Sequence, residues 1–148
     1  LRSHETEEQS HRVTQLTMML AKAMNTFREE DLVHLRRGAL LHGIGKMGIP
    51  DAVLLKTDPL TEKEMQILRM EPVYAYQTLS PIVYLRQAAD IAYCCHENWD
   101  GSGYPRGLKG EEIPIGARMV AIVLAWDSLC SDKPFRPART MDEARKYL

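Results

Sequence analysis

The apolar residues of this chain recur at intervals of three and four, and no alternating period-two run of useful length appears. That spacing leaves helix packed on helix as the architecture, with strands few or absent. Val13, Leu16, Leu20 and Met24 mark one face of a first helix, with Met19 and Ala23 alongside. Glu5, Glu7 and Glu8 lie in its opening turns, where the helix dipole favours anions. A break near Asn25 and Thr26 leads to a second helix over about Glu29 to His42, with Leu32, Leu35, Ala39 and Leu40 as its buried face.

Breakers and caps divide the rest. Gly43, Gly45, Gly48 and Pro50 end regular structure, and Asp51 to Leu55 has room for one turn. Thr61 with Glu64 forms a capping box that opens a helix to about Arg69. Pro72 predicts the start or kink of a helix to about Leu79, and another is expected over about Val83 to Cys95. Residues 100–114 are rich in Gly and Pro, a long helix returns from Ile115 to Cys130, and Thr140 with Glu143 caps a final one.

At 148 residues the chain reads as one domain, 1–148, large enough for a core without disulfide or metal staples. It opens on Leu1 within an apparent helix, and the expectation is a domain cut from a longer signalling protein. Balanced charge, 19 Lys and Arg against 20 Asp and Glu, gives no basic field for nucleic acid or an anionic membrane. The longest apolar stretch, Met119 to Trp126, is too short for membrane insertion. The three cysteines, Cys94, Cys95 and Cys130, have no zinc-finger spacing and suggest a reducing cytoplasm.

Two stretches do not read as scaffold. In Leu41-His42-Gly43-Ile44-Gly45-Lys46-Met47-Gly48-Ile49-Pro50, a histidine closes an apolar helix ahead of glycines and a lysine. Taken alone, a glycine turn after a helix explains it. In Cys94-Cys95-His96-Glu97-Asn98-Trp99-Asp100-Gly101-Ser102-Gly103-Tyr104-Pro105, a polar run carries aromatics through a stiff loop, an unusual way merely to turn a chain.

Together these stretches resemble the HD-GYP family. His42 to Lys46 is similar to its HDxGK segment, and His96 to Pro105 to its HHExxDGxGYP segment. Ile113-Pro114 with Ala117-Arg118 matches its IPxxAR element, and Asp127 to Arg136 its tail. The resemblance implies an all-α bundle of about six or seven helices and a bacterial cyclic di-GMP phosphodiesterase. It also implies two or three metal ions, commonly iron or manganese, fusion to sensor or receiver modules, and possible homodimerisation. A metal cluster of this kind activates a bridging water and clamps phosphate oxygens, which requires several His and carboxylate ligands.

Against that pattern, the ligand positions implied by the resemblance are Glu5, Gln9, His42, Gly43, Glu71, Cys95, His96 and Leu124. Glu5, His42 and His96 keep the family's residue, as do Lys46, the catalytic candidate, and Asp127. Gln9 and Cys95 stand in place of histidines, and Glu71 stands in place of the histidine before Pro72. Gly43 and Leu124 stand in place of metal-bridging aspartates, without which two cations lack their neutralising charge. The expectation is a pseudoenzyme that binds a protein partner or cyclic di-GMP, with no metal or at most one ion of Zn, Fe or Mn. His42, Glu71, Cys95 and His96 are the donors for one zinc. The rival is a phosphohydrolase with a rearranged metal site.

Asp100, Gly101, Gly103, Tyr104, Pro105 and Arg118 are the candidate binding residues. Lys46, Lys133 and Arg136 are possible phosphate contacts, though such residues are more often solvated charges. Trp99 and Tyr104 are expected to pack the loop down, and His4, His11 and His34 to lie at the surface. Met18, Met19, Met24, Met65, Met70 and Met119 are expected to fill the core.

Overall fold

A computed structural model describes the backbone of residues 2–132 and 137–147, and side chains among them from Glu7 onward. Among the described residues every element is helical. The helices are α1 (Arg2–Met24), α2 (Glu29–Leu41), α3 (Asp51–Leu54), α4 (Glu62–Leu68), α5 (Glu71–Leu79), α6 (Arg86–Cys94), α7 (Ile115–Cys130) and α8 (Met141–Arg145). With α3 counted as the single turn expected there, seven helices remain. No described helix is long and apolar enough to cross a membrane.

Local signals place most of the ends. The Thr61–Glu64 capping box is fully formed, and so is that of Thr140 and Glu143. Pro72 sits in the first turn of α5, where a missing N–H costs nothing. Two expected segments differ. Residues Ile44–Gly48 form a 3-10 turn rather than loop, and α6 is preceded by a separate 3-10 turn at Val83–Leu85.

Helix α6 is the hub, packed on α2, α5 and α7, while α1 lies across α2 and α7. Small residues permit this. Ala88, Ala89 and Ala92 are wholly buried, and a Cβ on Gly38 of α2 would come within 2.7 Å of Ile91. The main core joins Val13, Ala21, Leu35, Ala39, Ile91, Met119, Val120 and Val123.

Periodicity overstates the core at its edges. Met19 is 66% exposed, and Met24, Leu40 and Met70 are also exposed, because no neighbouring element covers those positions. Met119 is buried as expected, and Met18 and Met65 are partly so. His11 lies at the surface, but His34 is half-buried with its Nδ1 enclosed and without a hydrogen bond.

Candidate functional site

The end of α2, the 44–48 turn, the start of α5 and the end of α6 converge on one place. The convergence depends on Gly45, where a Cβ would overlap the Glu71 carbonyl oxygen. The turn that carries Lys46 therefore lies against the first residue of α5, backbone to backbone. His42 is buried at the C-cap of α2, and its Nδ1 donates to the Ala39 carbonyl at 2.7 Å, which leaves Nε2 unprotonated. His96 follows α6, with Nε2 3.9 Å from Glu71 Oε2. Its ring stacks on Tyr104 at 5.2 Å and 7°, and the Arg69 guanidinium covers the other aromatic at 5.8 Å.

Burial governs the charges here. It lowers the His96 imidazole to about 4, with His42 and Lys46 pushing the same way. It also lowers His42, opposed by the Ala39 bond, and raises the Glu71 carboxyl against the pull of Lys46. His96 is neutral at pH 7, so its approach to Glu71 is not an ion pair. Glu71 is 6% exposed and its Oε1 has no hydrogen-bond partner. Lys46 has no carboxylate within ion-pair distance among the described residues.

The other ligand positions lie differently. The Cys95 thiol donates to the Ala92 carbonyl at 3.3 Å and packs in the main core, where burial raises its pKa well beyond the usual thiol range. Such a thiol is a poor source of the thiolate that a metal needs. Gln9 Nε2 donates to Asp127 Oδ2 at 3.2 Å, beside Arg12, whose Nε donates to Oδ1 at 2.9 Å. Leu124 is partly buried against the main core. At Gly43 a Cβ would meet only the flexible Lys46 side chain, at 3.7 Å. The Glu5 side chain, Lys133 and Arg136 lie outside the described residues.

Among the described residues no three of His, Cys, Asp and Glu are grouped to hold a metal ion. The donor set gives the reason. Two neutral imidazoles and one raised carboxyl face a lysine, and Asp127, which acts on His42, already accepts from Arg12 and Gln9. The described residues alone do not fit a binuclear cluster, and among them Cys95 does not complete a zinc site.

The 96–112 loop is held by its own polar groups. Glu97, 3% exposed, accepts from the Arg106 N–H at 2.7 Å and the Leu108 N–H at 3.0 Å. Asp100 turns back on its loop and accepts from the Ser102 N–H and hydroxyl. Gly101 takes a left-handed φ of 86°, and the Tyr104–Pro105 peptide is cis. Trp99 is 61% exposed rather than packed down. Its ring is stacked by the Arg118 guanidinium at 5.6 Å, so Arg118 is engaged with this loop rather than with His42 and His96. Sequence reasoning missed Glu97 as the loop's anchor and Arg12 as the partner of Asp127. Arg12 stands three residues after Gln9, on the same face of α1.

The profile described as HD domain matches residues 1–148. A cyclic di-GMP phosphodiesterase of Thermotoga maritima is 40% identical over 151 aligned residues, covering 99% of this chain and 40% of that protein. The cyclic di-GMP phosphodiesterase response regulator RpfG of Xanthomonas campestris is 45% identical over 122, covering 81% of this chain and 32% of that one. This chain thus spans about a third to two fifths of the length of these relatives. Among solved structures, Bd1817, an HDG"Y"P protein of Bdellovibrio bacteriovorus, superposes with a TM-score of 0.79 at 22% identity, over 97% of this chain and 45% of that one.

Proposed function

The chain belongs to the HD domain family, and from that premise we propose that it is an HD-GYP-type signalling module without phosphodiesterase activity. In this reading it acts by binding a protein partner or a cyclic dinucleotide. The observation that carries the reading is the fate of the two bridging positions. Gly43 offers no side chain, and Leu124 is an apolar residue packed against the core. A pair of divalent cations there would face Lys46 and two neutral imidazoles without a bridging anion. The relatives named as cyclic di-GMP phosphodiesterases supply the ligand class. Lys46, which acts electrostatically on His96, and Arg69, over the Tyr104 ring, are the cations that this reading offers to a phosphodiester.

The test is metal analysis of the purified chain, followed by incubation with cyclic di-GMP and added Mn2+ or Fe2+. We expect fewer than two metals per chain and no turnover above buffer. Two equivalents of metal with sustained hydrolysis would overturn the reading.

One observation favours the rival, a phosphohydrolase with a rearranged site. Glu71 Oε1 is buried without a partner, 6% exposed, and its other oxygen approaches His96. Such a group invites a ligand or ion. If the rival holds, the chain has a metal-stimulated phosphohydrolase activity that His96→Ala abolishes.

A further inference from the structure

A second cavity, of about 660 Å3, opens between α2, α6 and the start of α7. None of its lining residues belongs to the His42–His96 cluster. Its floor is apolar, built from Leu35, Ile91 and Phe27, with Ile115 at one side. Its polar lining includes Asp90 from α6 and Arg106 from the 96–112 loop, while a second carboxylate, Asp31, is already paired with Arg28. Arg106 acts electrostatically on Asp90, yet no ion pair joins them among the described residues, so the groove keeps them apart. Asp90 is an exposed residue whose carboxylate meets no hydrogen-bond donor among the described residues, and partial burial raises its pKa despite Arg106.

The volume and the mixture of an apolar floor with few polar groups are those of a small-molecule site. The charge pattern narrows the class. A carboxylate accepts from two adjacent N–H groups, and a guanidinium donates in a fork to two adjacent acceptors. Guanine presents N1–H and its 2-amino group on one edge, and O6 and N7 beside them, on a flat ring that suits an apolar floor. We propose that this groove is a guanine-base site, with Asp90 taking the N1–H and 2-amino donors, Arg106 the O6 and N7 acceptors, and Phe27 with Ile91 the ring face. This site is separate from the HD pocket and does not depend on whether that pocket is catalytic.

Calorimetric titration of the 148-residue chain with guanosine, inosine and adenosine 5′-monophosphates tests it. The three share ribose and phosphate, so their order isolates the base. Guanosine monophosphate should bind saturably. Inosine monophosphate, lacking the 2-amino donor, should bind several-fold more weakly, and adenosine monophosphate at least tenfold more weakly. Asp90→Asn and Arg106→Ala should each weaken the guanosine ligand about tenfold, with unchanged circular dichroism. Amide shifts in a 1H–15N spectrum should cluster at Phe27, Ile91 and Arg106. Equal affinity for all three nucleotides, no saturable binding at millimolar ligand, indifference to both substitutions, or shifts centred on Lys46 and His96 would each overturn the proposal.

Discussion

The HD pocket and the 96–112 loop meet at His96, yet they keep the family's residues for different physical reasons. In the loop, the residues that match the family pattern hold the chain in shape. Glu97 ties down two backbone amides and Asp100 closes its own turn. Such residues are retained by folding whatever the chemistry. In the pocket, Gly43 leaves room for a side chain beside the flexible Lys46, and Leu124 adds apolar packing. On the proposed reading, the motif stays legible where it is structural while the neighbouring ligand set is lost.

The strongest way to break this comparison is to remove the loop's anchor. Glu97→Ala takes away two charge-assisted hydrogen bonds from a buried carboxylate, and should cost about 3 kcal/mol. Thermal denaturation should show a midpoint lower by about 5–10 °C. A shift under 2 °C would mean that the loop does not depend on Glu97. Next is Leu124→Asp, which places a carboxylate against the main core and should cost about 2 kcal/mol in urea unfolding. Its counterpart, Gly43→Asp, should change stability by less than about 0.5 kcal/mol. The φ of −91° suits any residue, and the new carboxylate would lie beside the Lys46 ammonium. If both cost the same, positions 43 and 124 do not differ in the way the comparison requires.

Acid sharpens the contrast further, because burial shifts the histidines and the carboxyl of the pocket. His96 is lowered from 6.5 to about 4, so between those values the unfolded chain binds more protons than the folded one. Stability then rises with pH through that window and is lost as pH falls through it. His42 acts in the same direction. Glu71 opposes them: its raised carboxyl keeps a proton in the folded state, so its contribution shrinks as pH rises past 4.5. The melting midpoint should fall from pH 7 to pH 5. His96→Asn should flatten that slope and Glu71→Gln should steepen it. The smallest effect belongs to Trp99→Ala, which removes an exposed ring and one cation–π contact and should cost under about 1 kcal/mol by chemical denaturation.

Much of the fold is legible because its ends are encoded locally. Thr61 with Glu64, Pro72, and Thr140 with Glu143 each act within one helical turn, and each begins or caps the helix it predicts. The candidate site is less legible because its partners are remote in sequence. Arg12 meets Asp127 across 115 positions, and no period relates them. Nor does spacing say which apolar faces a neighbour covers. Met24 has the same interval pattern as Leu16 and Leu20, yet it lies in the open. Cys95 illustrates the third gap. It stands at a ligand position, but only packing reveals that its thiol is turned to Ala92.

The close approach at Gly45 carries one more consequence. With no side chain between the 44–48 turn and the Glu71 carbonyl, the turn and α5 behave as one stiff body. Helix α5 is in turn braced on α6 by the Tyr76–Tyr93 ring contact, with centroids 4.7 Å apart. A displacement applied to the outer end of α5 would therefore reach Lys46 as a rotation of a lever about that aromatic hinge, with little lost to intervening slack.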